Sequence, residues 1–160
     1  MSDAMRATPH DGEDALRQAM HGLVRGGTIV VLASVSPEGV VSTALCSWIV
    51  AKGPRHLAMA LDVRSSAYAS IRAGCDQIAL EIMADDILLS VRGRASVGSE
   101  WLDDVPFPCA LVWVEVIEIR SHMIEGLRFA APRYVFADDK RHRADVEQRI
   151  FAQLENVSLR

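Results

Sequence analysis

Several things are missing from this 160-residue chain, and each absence narrows what it does. No apolar run approaches the ~20 residues that a membrane-crossing helix requires. The opening stretch, Met1 to Glu13, is polar, contains Pro9 and Gly12, and has no apolar core of the signal-peptide kind. No membrane partner is therefore expected, and cytoplasm is the expected location. A basic excess is missing too: 17 Lys and Arg stand against 21 Asp and Glu, for a net charge of −4. Nucleic-acid affinity comes mainly from cations that neutralise phosphates, so no nucleic-acid partner is expected. The densest basic cluster, Lys140-Arg141-His142-Arg143, is flanked by Asp138-Asp139 and Asp145 and reads as the solvated start of a helix.

Cysteine is sparse and unpaired in pattern. The 3 cysteines, Cys46, Cys75 and Cys109, form no CxxC motif, and an odd count argues against a disulfide framework. Their neighbours are apolar, so each reads as a small buried hydrophobe rather than a reactive thiol. The 5 histidines, His10, His21, His56, His122 and His142, never stand at i, i+3 or i, i+4. With no HxH, HExxH or His-Cys cluster, no metal is expected. GxSxG, P-loop and GxGxxG patterns are absent as well, and no catalytic residue is identifiable. The acidic pairs Asp85-Asp86, Asp103-Asp104 and Asp138-Asp139 read as solvated turns or caps, because adjacent side chains diverge.

What is present is a large apolar fraction, 50% of residues, with a mean hydropathy of +0.15. That fills one core and leaves some over, which points to a subunit interface. The chain is long enough for one domain, expected over 12–160 behind a flexible tail at 1–11. Leu16, Met20, Leu23 and Val24 make one stripe of a helix that Asp11 is placed to cap and Gly26-Gly27 to end.

Strand signals follow. Thr28 to Val35 is short, β-branched and apolar. Ser36-Pro37-Glu38-Gly39 fits a type I turn position by position. Val40 to Val50 then reads as the returning strand, and Arg55 to Leu61 as a third, which makes a three-stranded antiparallel meander. A short helix over 67–73 ends at Gly74. Ile78 to Met83 is a fourth strand. Ile87 to Val97 is a fifth, with strict alternation and with Gly93 marking a bulge or a close approach. Cys109 to Ser121 reads as the longest strand, apolar on both faces, so its second face should meet a helix or another subunit. Arg133 to Phe136 suggests a short strand. Val146, Ile150 and Leu154 line a final helix from Asp138. The fold class is mainly β: an antiparallel split β-barrel of about six to seven strands with flanking helices.

One segment carries chemistry. Arg64-Ser65-Ser66 puts a guanidinium and two hydroxyls at a helix start, a composition suited to a phosphate. The same residues also fit an ordinary serine cap beside a solvated arginine.

Taken in order, VLASVSPEGVVSTALCSWIV, HLAMALDVRSSAYASIRAG, IALEIM and LLSVRGRASV resemble the pyridoxamine 5'-phosphate oxidase-like, FMN-binding split barrels. The resemblance implies a homodimer that holds FMN in two grooves at its interface. It implies that Ser42, Thr43, Ala44 and Leu45 lie along the flavin ring through their backbone. Leu61 and Asp62 would pass beside the ring or ribityl chain. Arg64, Ser65 and Ser66 would hold the phosphate, and Arg92 or Arg94 would add charge. Ala67 stands where many members have a lysine or second arginine, and the arginine and glutamine pattern that recognises pyridoxal phosphate is absent. The implied activity is an FMN-dependent oxidoreductase acting on a small molecule, with the reaction supplied by the cofactor. The alternative is a non-catalytic module that stores or senses flavin, haem or a deazaflavin.

Overall fold

Alternation, turn chemistry and one short connection build this architecture. The computed structural model describes residues 9–23 and 28–158. Helix α1 (Pro9–Leu23) begins two residues before Asp11, which lies inside its first turn rather than capping it. The stop expected at Gly26-Gly27, with Val24 of the stripe and most of the expected tail, lies outside the described residues. Strand β1 (Thr28–Val35) covers the expected range and buries every second residue up to Ser34. The Ser36 turn closes as expected: Gly39 N–H donates to the Ser36 carbonyl at 2.9 Å, and Gly39 has φ +80°. Only glycine holds that conformation without strain.

The expected strand over 40–50 is in fact two. Strand β2 (Val41–Leu45) returns alongside β1, and strand β3 (Ile49–Gly53) pairs with β4 (His56–Asp62). The meander is thus replaced by two hairpins. Helix α2 (Ser66–Arg72), strands β5 (Gln77–Ala84), β6 (Ile87–Trp101) and β7 (Cys109–Ser121), and helix α3 (His142–Asn156) complete the chain. At 15 residues β6, not the 13-residue β7, is the longest strand. Residues 133–136 form no strand, and a single 3₁₀ turn (Asp138–Lys140) precedes α3.

The sheet has 7 antiparallel strands in the order β2-β1-β5-β6-β7-β4-β3. Its two edge strands are consecutive in the chain, joined only by Cys46, Ser47 and Trp48. Six gaps of ~4.8 Å would set the edges of a flat sheet about 29 Å apart. The four steps from Leu45 to Ile49 reach at most ~14 Å. The sheet must roll. The corner extends both hairpins, since Cys46 N–H donates to Val30 of β1 at 2.8 Å and Ala60 N–H of β4 donates to Trp48 at 2.9 Å. The result is the expected split barrel.

The rolled interior is filled by Leu32, Leu57, Met59, Leu80, Ile82 and Leu89. Helix α1 sets Leu16, Ala19 and Met20 against β1, β3 and β7, and the hydroxyl of buried Thr28 donates to the Ala19 carbonyl at 2.7 Å. Helix α3 buries Ile150, Phe151 and Leu154 over β3 and β4. Lys52 donates to its last carbonyls, Glu155 at 2.6 Å and Leu154 at 3.3 Å, which suits a cation to a helix C-terminus. The second face of β7 meets α1 near Ile119, where Gly12 comes close, while Ile117 stays exposed. Cys46 and Cys109 are buried, and burial pushes their thiols up to about 12 and about 11.

Gly93 is both things expected of it. The β6–β7 register shifts between Arg92 and Gly93, and a Cβ at Gly93 would stand 2.7 Å from the Glu115 carbonyl oxygen and 2.9 Å from Val114 Cγ1. Gly93→Ala forces two central strands apart and should destabilise the protein by roughly 1–3 kcal/mol. Gly53→Ala, which meets nothing within 4 Å, should change stability by less than ~0.5 kcal/mol. Urea midpoints of the two variants check this, and equal midpoints would contradict it.

Candidate functional site

Because β2 pairs only with β1, its other edge carries unpaired backbone donors and acceptors, as any edge strand does. Thr43, Ala44 and Leu45 are exposed along it. Ser42 is half-buried, its hydroxyl 3.3 Å from that of Ser34 and 3.5 Å from that of Ser66. The strand thereby meets the start of α2.

The α2 start is shaped by the end of β4. Leu61 is buried, and Asp62 turns the chain by accepting the Arg64 N–H at 2.9 Å. Asp62 also takes the Arg64 side chain in a forked pair, Nε to Oδ1 at 2.9 Å and Nη2 to Oδ2 at 2.6 Å. That guanidinium holds the Asp62 carboxyl below its ordinary range. Ser65 is spent as the helix cap, its hydroxyl accepting Tyr68 N–H at 3.2 Å. The groups left facing outward are Ser66, Ser42 and the 68% exposed Arg64 side chain. Ala67 is buried against the barrel, so a basic residue there would point at the core rather than the groove.

Arg92 and Arg94 stand elsewhere on the chain. Asp62 pairs with Cys109 at the start of β7, whereas Arg94 and Arg92 pair with Glu115 and Glu118. Counted the other way round the barrel, Arg92 stands opposite Ala79 of β5, Ala79 opposite Ala33 of β1, and Ala33 opposite Thr43 of β2, so the arginine strand runs level with β2. Arg92 is bound to Glu118, which Arg120 also holds at 2.6 Å. Arg94 is exposed and makes no ion pair among the described residues. Neither arginine makes a hydrogen bond or ion pair with Arg64, Ser65 or Ser66 among the described residues.

At the far end of β2 a second feature appears that sequence reasoning missed. An apolar cavity of about 200 Å³ is lined by Thr28, Ile29, Val30, Leu45, Cys46, Ser47 and Tyr134. The Tyr134 hydroxyl donates to Glu147 Oε1 at 3.3 Å, and Trp48 Nε1 donates to the same oxygen at 3.4 Å. Trp48 stacks on Phe107 with centroids 5.4 Å apart. Glu147 is half-buried, and burial pushes its carboxyl above the ordinary value despite the two donors.

Tyr134 is delivered by a strap over 122–136 that has no regular structure. The strap is pinned by Asp85 and Asp86, the turn pair expected to be merely solvated. Asp86 exchanges backbone and side-chain hydrogen bonds with Phe129 at 2.8 and 3.1 Å and pairs with Arg128 at 2.7 Å. Asp85 accepts Ala131 N–H at 3.1 Å and binds Arg133. No local signal marks such contacts, since the partners lie more than forty residues apart.

No protein-family model and no curated protein matches this sequence. Solved structures do match its fold. An FMN-binding protein from Syntrophomonas wolfei aligns with TM-score 0.54 and 16% identity, over 70% of this chain and 89% of that one. HupZ of Group A Streptococcus aligns with TM-score 0.56 and 12% identity, over 72% and 97%. HutZ, the heme storage protein of Vibrio cholerae, aligns with TM-score 0.51 and 10% identity, over 73% and 95%. The shared element is the split barrel itself, and no helix among the described residues is long and apolar enough to cross a membrane.

The Glu147 environment has a consequence for stability. A carboxyl whose folded pKa is raised contributes stability below its unfolded value near 4.5, and that contribution is lost as pH rises through the folded value. Glu147→Gln removes this titration. The variant should therefore gain in melting temperature relative to the parent as pH goes from 4 towards 7, and a pH-independent difference would contradict the assignment.

Proposed function

We propose that this chain binds FMN along β2, with the phosphate at Arg64 and Ser66, and works as an oxidoreductase on a small molecule. The convergence of Ser42 with Ser66 beside exposed Arg64, at the end of an unpaired strand edge, carries this reading. The fold shared with an FMN-binding protein supports it as analogy.

Each group has a task. Arg64 uses Nε and Nη2 on Asp62, so Nη1 remains for a phosphate oxygen, and Ser66 and Ser42 supply hydroxyl donors. Asp62 holds the guanidinium in place, yet its negative charge opposes an incoming phosphate. Ser65 secures the helix start through its cap, and Leu61 walls the groove from the core. The free edge of β2 over Ser42, Thr43, Ala44 and Leu45 offers backbone groups to the polar rim of a flavin ring. Bound FMN would supply the redox chemistry, while the chain supplies orientation and access.

The groove so formed is open on one side. Val41 and Leu45 are 66% and 71% exposed, with Val40 next to them, an apolar uncharged edge that a soluble protein ordinarily covers. A second copy of the chain fits that role, and in a homodimer Arg92 or Arg94 of one copy has a route to the groove of the other.

Absorbance spectroscopy of the purified protein during FMN titration tests the reading. Saturable binding is expected. Arg64→Ala should weaken it by one charge-assisted contact, on the order of 1.5–3 kcal/mol, and Asp62→Asn should leave binding unchanged or tighten it. An Arg64→Ala protein that binds FMN as tightly as the parent would falsify the phosphate assignment. Bleaching of the bound flavin by a reductant and its recovery with an electron acceptor distinguish an oxidoreductase from a storage protein.

A further inference from the structure

We propose that the cavity between the start of β1, the Leu45–Ser47 corner and Tyr134 is a binding subsite for a single aromatic ring bearing a hydroxyl or amino group. That the ring bound there is a substrate rests on the flavin reading, because the cavity adjoins the proposed flavin track at Leu45; the binding itself does not.

Size decides the ligand class first. A cavity of ~150 Å³ holds one benzene ring, and this one measures about 200 Å³. That is room for one substituted six-membered ring. Wall chemistry decides next. Ile29, Val30, Leu45 and the buried Cys46 present carbon and sulfur, suited to an aromatic face. Thr28 is no polar contact, since its hydroxyl is already committed to Ala19.

Polar recognition then comes from the corner. The Tyr134 hydroxyl donates to Glu147, and Ser47 lines the same cavity. Glu147 is fixed in turn by Trp48, and Trp48 by its stack on Phe107. An oriented phenol oxygen with Ser47 beside it therefore stands at the cavity wall, ready to accept from a ligand O–H or N–H. Tyr134 is there because Asp85 and Asp86 pin the strap that carries it. A ring in this cavity lies at the end of β2, where a flavin ring along Thr43–Leu45 would meet it.

Phenol is the probe. Amide NMR of the full chain, without and then with FMN, should show saturable phenol-dependent shifts centred on residues 28–30 and 45–47. Tyr134→Phe keeps the ring and removes the hydroxyl, and should raise the phenol Kd roughly 2- to 10-fold. Ile29→Trp fills the cavity and should abolish the shifts while the rest of the spectrum stays folded. Should Ile29→Trp fail to fold, the Tyr134→Phe ratio decides alone. Absent or non-saturable shifts, shifts mapping elsewhere, an unchanged Kd in Tyr134→Phe, or displacement of phenol by FMN would each overturn the subsite. Phenol binding in a chain that ignores FMN keeps the subsite and sinks the flavin reading; FMN binding without phenol binding does the reverse.

Discussion

Three residues, Cys46 to Trp48, join strands that lie at opposite edges of a seven-stranded sheet, and the sheet can satisfy that connection only by rolling. Everything of functional interest follows from the closure. Rolling brings β2 over the end of β4, so that Ser42 meets Ser66 at the start of α2. It also makes the corner itself a wall, with Cys46 bound to β1 on one side and Trp48 to β4 on the other. The barrel stays split because β2 and β3 never pair, and the free edge of β2 is the price of that topology.

The two ends of β2 differ in chemistry for the same reason. At its first end the loop after β4 delivers Asp62, Arg64, Ser65 and Ser66, a charged and hydroxylated patch. At its last end the corner, the start of β1 and the strap deliver an apolar cavity with one oriented phenol. A ligand with a phosphate at one end and a ring system at the other matches that polarity, and a smaller ring beside it fills the remaining cavity. The Asp62–Arg64 pair keeps the patch near neutral, so phosphate affinity depends on how far Asp62 yields the guanidinium.

Much of the scaffold was legible because its signals are local. Short apolar runs located β1, β5 and β7 and alternation located β6, the Ser36-Pro37-Glu38-Gly39 turn declared the first hairpin, and Gly93 marked a real bulge. The break at 46–48 was not legible: Cys-Ser-Trp contains neither glycine nor proline, and the bend is imposed by closure between distant strands. Ser42 and Ser66 are 24 residues apart, so only family resemblance placed them together. The same resemblance grouped Arg92 and Arg94 with Arg64, and strand register sets their strand level with β2 without joining either side chain to Arg64 directly. Tyr134, Glu147 and the Asp85-Asp86 staple were invisible because a strap without periodicity leaves no pattern to read.

Amide hydrogen exchange of the full chain with and without FMN tests the central claim most directly, because it reads the backbone of β2 itself. A flavin along the free strand edge should slow exchange over 41–45 and over 62–66 together, while the outer face of α3 stays unchanged. Unaltered exchange in both segments at saturating FMN, or protection confined to other parts of the barrel, would contradict the claim.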